Sequence, residues 1–140
     1  LSLLMIDVDH FKKYNDTMGH ELGNVVLRSV AAAIKENLRS VDLLFRYGGD
    51  EFFVVLPNTK PSDAVQLANK IREALSGHMF KSGRYAVKVT ASFGISGTEK
   101  PKDVPLFDAR ELIRLADAAL YEAKNAGRNR VEVQDFSKRL

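Results

Sequence analysis

The sequence predicts an α+β fold, a single mixed sheet of about five strands backed by helices. Three observations carry this reading. Three segments repeat apolar residues at helical spacing, short apolar or alternating runs fall before, between and after them, and one Gly-Gly pair joins two such runs. Strands interrupted by helices, with one antiparallel hairpin among them, fit one sheet covered by helices better than a bundle or two stacked sheets.

Each element has its own cue. Leu1–Asp7 is an apolar run closing on Asp7-Val8-Asp9, which reads as a buried strand that delivers carboxylates at its C-terminal end. His10–Asp16 is compatible with a short helix or a turn. From Glu21 to Leu38, apolar residues at Leu22, Val25, Val26, Leu27, Val30, Ala33, Ile34 and Leu38 mark one helical face. Val41–Tyr47 and Phe52–Leu56 read as strands around Gly48-Gly49-Asp50-Glu51, a hairpin in which glycine is expected to supply positive φ. Pro57-Asn58 breaks the second strand, and Ser62 or Asp63 can cap a helix that Gly77 stops. Lys81-Ser82-Gly83-Arg84 reads as a turn before one partly alternating strand over Tyr85–Ser96. Gly97–Pro105 is polar and proline-bearing, a loop. Asp108–Asn125 is helical, Ala126-Gly127 ends it, and Arg130–Gln134 is a last short strand. This order predicts an α+β sandwich of the palm type.

The 140 residues suit one domain, large enough to bury roughly 68–70% of the surface of the unfolded chain. The absence of cysteine excludes disulfides, thiolate zinc sites and a cysteine nucleophile. The net charge is +3, but Lys and Arg are dispersed, with no basic tract or aromatic-basic ladder for a nucleic acid. That balance suits a small polyphosphate ligand. Apolar runs such as Leu3–Ile6 are far too short to cross a membrane, and no signal peptide is visible. A cytoplasmic location is expected, whether or not a parent protein is membrane-anchored. The chain opens directly inside a strand-like run, so Leu1 reads as a cut point within a longer protein.

Four separated blocks resemble the GGDEF family, the catalytic domain of diguanylate cyclases. Asp7-Val8-Asp9-His10-Phe11-Lys12 with Asn15-Asp16 and Gly19-His20 resembles its first strand and loop. Arg46-Tyr47-Gly48-Gly49-Asp50-Glu51-Phe52 matches the signature hairpin, with Asp50 an accepted variant of glutamate. Thr90–Ile95 resembles the penultimate strand, and Ala116–Tyr121 with Lys124 and Gly127-Arg128-Asn129 the last helix and its exit. The resemblance runs from Leu1 to the last strand and implies a nucleotidyl-cyclase-like palm fold. It further implies that residues 1–140 are one GGDEF domain, truncated at its N-terminus and excised from a multidomain protein whose upstream part is a sensor or receiver domain.

The implied reaction joins two GTP into cyclic di-GMP, a bacterial second messenger, with release of two pyrophosphates at a dimer interface. Such a reaction needs divalent metal, Mg2+ or Mn2+. By resemblance Asp7, Glu51 and the Val8 carbonyl are metal ligands, and Asp50 is a metal partner or acid-base group. The bland alternative, that these acids form turns or caps, is disfavoured because three acids would converge without an obvious basic partner. For Asp9 the metal and structural readings are even. Gly48 and Gly49 let a nucleotide approach the hairpin backbone closely. Backbone N–H groups of His10-Phe11-Lys12 can cradle phosphate oxygens, with Lys12 adding charge. Lys124 and Arg128 are expected to share a helix face and, by resemblance, to hold the γ-phosphate instead of merely offsetting the helix dipole.

Asn15 matches the asparagine that contacts the guanine edge. Asn24 stands where active members mostly carry aspartate, and an amide offers one acceptor oxygen where guanine presents two donors, so a relaxed enzyme that also takes ATP is a second reading. Helix-terminal bonding to local backbone is a further reading of Asn24. Arg39-Ser40-Val41-Asp42 resembles the RxxD site at which cyclic di-GMP inhibits the family, with Lys70 a secondary contact; taken alone, Arg39 and Asp42 would be a surface ion pair. His20 reads as a structural partner or cap, His78 as a surface residue, and Phe93 and Tyr121 as core. Two non-enzymatic readings stay open: a receptor for cyclic di-GMP, and a GTP-binding module that regulates a partner domain.

Overall fold

The computed structural model of the chain describes residues 1–100, 102 and 108–136. Its elements are β1 (Ser2–Val8), α1 (Phe11–Met18), α2 (His20–Glu36), β2 (Leu43–Arg46), β3 (Glu51–Leu56), α3 (Pro61–Ser76), β4 (Met79–Ser82), β5 (Tyr85–Lys88), β6 (Ala91–Gly97), α4 (Ala109–Asn125) and β7 (Val131–Asp135). The main sheet has five strands in the order β2-β3-β1-β6-β7. Its pairings are antiparallel except that of β6 with β7, which is parallel. A parallel pair needs a crossover, and α4 provides it.

The sheet is the expected α+β palm arrangement, and β1 occupies its centre. All seven residues of β1 are buried, and its alternation divides the core in two. Leu4, Ile6 and Val8 face α2 and α3 in the larger cluster, with Val26, Val30, Ile34, Ala68 and Ile71. Leu3 and Met5 face α4, against Leu112, Ala116 and Leu120. Continuing that period, Asp7 belongs to the α4 face.

Gly94 of β6 explains how closely α4 approaches. A Cβ there would overlap the Ala116 carbonyl and the Leu120 backbone, with Leu120 Cα 2.8 Å away. The helix therefore lies directly on the strand, and its last turn reaches the end of β1.

The structure corrects the sequence reading in three places. The single strand over Tyr85–Ser96 is two: β5 pairs with β4 in a separate two-stranded ribbon, and only β6 joins the main sheet. The turn between β4 and β5 is correspondingly narrower, with Gly83 at φ 57. Helix α3 is capped at Lys60, not Ser62 or Asp63, because Pro61 at the first helical position pre-sets the backbone. The loop expected over 97–105 begins later, since Gly97 closes β6, and residues 101 and 103–105 lie outside the described residues. No described helix is long and apolar enough to cross a membrane.

Candidate active site

The site grows from the C-terminal end of β1. Asp7 is buried and directly opposes Glu51 on β3 and Ser92 on β6. Val8 donates its amide to the Asp50 carbonyl at 3.2 Å, which ties the hairpin to the strand end. Burial pushes the Asp7 carboxyl up to about 7; Lys124, hydrogen-bonded to it, opposes the rise, and the neighbouring charge of Asp50 adds to it. Lys124 Nζ is paired with Asp7 Oδ2. The acids thus do have a basic partner, contrary to expectation, because α4 lies on the face to which Asp7 points. The other carboxylate oxygen, Oδ1, is buried without a hydrogen-bond partner among the described residues.

The expected three-acid cluster is not closed. Among the described residues no three His, Asp or Glu groups stand close enough to enclose a cation. Asp7 and Asp50 are together, while the Glu51 side chain folds back over Gly48, its Cδ 3.7 Å from where a Gly48 Cβ would stand. An oxygen set with one buried unpartnered carboxylate oxygen nevertheless fits a hard divalent cation such as Mg2+, which takes few protein carboxylates.

The hairpin glycines do not serve the turn as expected. Neither Gly48 nor Gly49 adopts a positive φ. A Cβ at Gly49 would meet nothing within 4 Å, and one at Gly48 only the Glu51 side chain. The tip is braced by Arg46, whose Nη2 donates to the Gly49 carbonyl at 2.6 Å. Nothing inside the described chain requires glycine here, so the free space above the backbone lies open to something approaching from outside.

Helix α1 starts at Phe11 after His10, at φ 58, with no side-chain cap among the described residues. Its first amides are therefore available to an anion, and Lys12 is exposed beside them. Asn15 lies over Gly23 of α2: a Cβ at Gly23 would press on Asn15, with Asn15 Cγ at 3.3 Å and Phe11 Cζ at 3.2 Å. The adjacent Asn24 is exposed. Among the described residues its side chain forms no hydrogen bond, so the reading of Asn24 as a local backbone partner is not what the structure adopts; its carbonyl instead accepts from Arg28. His20 is the first residue of α2 and is exposed, with Gly19 as the cap, so it is neither cap nor buried partner.

Beyond α4 the chain makes a tight exit. Gly127, Arg128 and Asn129 have φ of 120, 63 and 46, and Arg128 donates its amide to the Ala123 carbonyl at 3.0 Å, closing a Schellman-type end. Arg128 is thus not on the helix face with Lys124, as the four-residue spacing suggested, but in the turn that follows. Asp9 is structural. Its carboxylate accepts from Thr90 Oγ1 at 2.6 Å, Ser92 Oγ at 2.7 Å and the Asn129 amide at 3.1 Å.

Arg39 and Asp42 form the ion pair that their spacing alone would give, at 2.8 Å. Arg39 also donates to the Pro57 carbonyl and Thr59 Oγ1, at 2.7 and 2.8 Å. A pocket of about 340 Å3 adjoins them, lined by Lys35, Leu38, Arg39, Ser40, Asp42 and Leu44. Lys70 is exposed on α3 and does not line that pocket. Phe93 is core, and His78 lies on the surface. Tyr121 is 67% exposed, not core, since it points away from the sheet on the outer side of α4.

Sequence reasoning passed over Arg46, Gly23, Gly94 and the donors around Asp9. Gly23 and Gly94 carried one available cue, a glycine inside an otherwise regular element. The hydroxyls of Thr90 and Ser92 fell within the block Thr90–Ile95, but nothing in it pointed to Asp9 as their acceptor.

A sequence model of a family described as diguanylate cyclase, GGDEF domain, matches residues 1–130. The chain is 44% identical over 133 residues to response regulator PleD of Caulobacter vibrioides, covering 94% of this chain and 28% of that protein. It is also 44% identical over 131 residues to diguanylate cyclase A of Treponema denticola, covering 94% of this chain and 34% of that one. It therefore spans about a third or less of these relatives. Among solved structures, the GGDEF domain of DgcB from Caulobacter crescentus, in complex with c-di-GMP, superposes with a TM-score of 0.85 at 35% identity, over 94% of this chain and 76% of that chain. Diguanylate cyclase SiaD from Pseudomonas aeruginosa, in complex with its activator SiaC, gives a TM-score of 0.85 at 36% identity, over 95% of this chain and 49% of that chain.

Proposed function

The chain belongs to the GGDEF domain family of diguanylate cyclases, and from that premise we propose that it condenses two GTP into cyclic di-GMP and two pyrophosphates. The observation that carries the reading is the buried Oδ1 of Asp7, without a hydrogen-bond partner among the described residues, next to Asp50 and Lys124 and at the base of a hairpin whose tip is open to a ligand.

Asp7, Asp50, Glu51 and the Val8 carbonyl would hold Mg2+ or Mn2+. Glu51 stands opposite Asp7 on the paired strand, so side-chain rotation alone brings its carboxylate to the same face. When bound, such an ion neutralises triphosphate charge and acidifies the attacking hydroxyl. The remaining work falls to the chain. The first amides of α1, at Phe11 and Lys12 after His10, bind phosphate oxygens, and the exposed Lys12 and Arg128 add positive charge. Lys124 turns from Asp7 to the phosphates as the triphosphate enters. Asn15 and Asn24 meet the base, and Gly48 and Gly49 let the nucleotide lie against the hairpin. Each 3′-oxygen then attacks the α-phosphorus held by the other domain. One P–O bond forms, the bond to the β-phosphate bridging oxygen breaks, pyrophosphate leaves, and Asp50 accepts the hydroxyl proton.

Each domain holds one GTP, so two copies must face each other. Arg39 and Asp42 form the inhibitory site for the product, with Lys70 an outlying contact. PleD is a response regulator and SiaD has an activator, which supports a domain governed by an input outside residues 1–140; a cytoplasmic location belongs to the same proposal. A second reading, a relaxed cyclase that also accepts ATP, is favoured by the exposed, unengaged Asn24 side chain.

The test is the domain fused to a dimerising coiled coil, given Mg2+ with GTP, ATP or both, and products identified by mass spectrometry. Cyclic di-GMP that disappears in Asp50→Ala is the expected result, and mixed product would establish the relaxed reading. No cyclic product, with nucleotide still bound, would leave a receptor or regulatory module in its place.

A further inference from the structure

The structure assigns to Asp9 the role of a positioning residue: it fixes the turn that presents Arg128, and thereby the affinity for the triphosphate. This rests on the reading of Arg128 as a phosphate contact.

Three consecutive residues, Gly127, Arg128 and Asn129, have positive φ. Two of them are not glycine, so the turn is not a conformation the chain holds unaided. Arg128 is exposed, and its amide is the only part of it bonded, to the Ala123 carbonyl among the described residues. The turn is instead gripped at Asn129. Its amide donates to Asp9 Oδ2 at 3.1 Å, and its side-chain oxygen accepts from Arg72 of α3 at 3.3 Å.

Asp9 itself is held by the sheet. It is buried, its amide donates to the Thr90 carbonyl at 2.9 Å, and both carboxylate oxygens are engaged by the hydroxyls of Thr90 and Ser92. These two hydroxyls and the Asn129 amide connect β1, β6 and the exit of α4 at one carboxylate. Asp9 follows Asp7 by two residues, so the same strand end that carries the acid at the reaction centre also sets where the cation for the triphosphate stands. A core role alone would not require the third donor, which comes from the exit turn instead of the sheet.

The test combines amide exchange of the nucleotide-free domain with binding of a non-reactive GTP analogue in Mg2+. In the wild-type domain the Asn129 amide is expected to exchange slowly; fast exchange there would overturn the proposal without any variant. Asp9→Ala should speed exchange across 127–129, and Asp9→Ala and Arg128→Ala should each weaken binding by about tenfold, the scale of one charge-assisted hydrogen bond. Combining the two should cost no more than about twofold beyond Arg128→Ala alone, because no guanidinium is then left for the turn to position. Independent losses that multiply to about a hundredfold would overturn the proposal.

Asp9→Asn, isosteric and able to fold where alanine fails, keeps an acceptor for Asn129 while the Ser92 hydroxyl turns to accept. It should bind within about twofold of wild type, and a loss like that of Asp9→Ala would overturn the proposal. Unchanged affinity in Arg128→Ala would remove the phosphate assignment beneath the proposal, and the exchange data would show that this assignment, not the anchor, had failed.

Discussion

Asp7 carries its titration shift because an acid has been taken out of water beside another acid. The folded protein binds a proton at Asp7 more tightly than the unfolded chain does, since the pKa rises from 3.8 to about 7. In the metal-free domain its contribution to stability is therefore intact below pH 4, declines as pH rises from 4 to 7, and stays lost above that. Asp7→Asn should flatten that slope and raise the melting temperature at pH 8, read by thermal unfolding in chelator, while removing Mg2+-dependent turnover. An unaltered slope would place the cost elsewhere. At the proposed base site, Asn24→Asp supplies two acceptor oxygens and should raise the preference for GTP over ATP at least tenfold in competition binding; an unmoved ratio would take Asn24 out of base recognition. Asp7 and Asp50 were legible as candidates because each lies within a block that resembles the family, and Asn24 only through its place relative to those blocks. The pairing of Asp7 with Lys124, 117 positions later, was not, since it depends on which sheet face α4 covers.

At the level of elements, the contact of α4 with β6 is the joint that most constrains the site. Gly94→Ala would force a methyl group into the backbone of Ala116 and Leu120, which cannot yield as a side-chain tip can. We expect a loss of about 3 kcal/mol, or roughly 10 °C in Tm, measured by chemical and thermal denaturation. A loss below about 1 kcal/mol would mean that the helix slides freely on the sheet. The three long helices were well marked by their periodicity, while residues 10–16 fitted a short helix and a turn equally; the structure adds the Asp108 cap of α4, which accepts from the Glu111 amide at 2.8 Å. The boundary between β5 and β6 was invisible, because Val87, Val89, Ala91 and Phe93 alternate straight through it. Thr90 makes the break physically: it bonds Asp9 through both carbonyl and hydroxyl, and no glycine or proline announces it. Strand β4 has only four residues, too few for a period to register.

Across the whole molecule, the number and kind of layers followed from the alternation of strands and helices, and the family from four blocks spread over the chain. The strand order β2-β3-β1-β6-β7 did not follow, because local pattern does not say which strands become neighbours across long connections. The proposed reaction also exceeds one molecule. If two domains must each deliver a nucleotide, the turnover per domain should climb with protein concentration for the free domain, and the coiled-coil fusion should exceed the free domain by at least tenfold at micromolar concentration. Pyrophosphate release measured over a dilution series checks this. A rate per domain independent of dilution would mean that one domain suffices.

The open tip of the hairpin separates two kinds of fitness. Gly49 has neither a left-handed backbone nor, among the described residues, a neighbour that a methyl group would strike, so Gly49→Ala should leave the fold intact, or even stabilise it by about 0.4–1 kcal/mol by narrowing the unfolded ensemble. Nucleotide affinity should fall in the same variant. A library at this tip that is sorted for solubility or heat resistance will therefore enrich the members that no longer turn over, and only selection on the product will retain glycine.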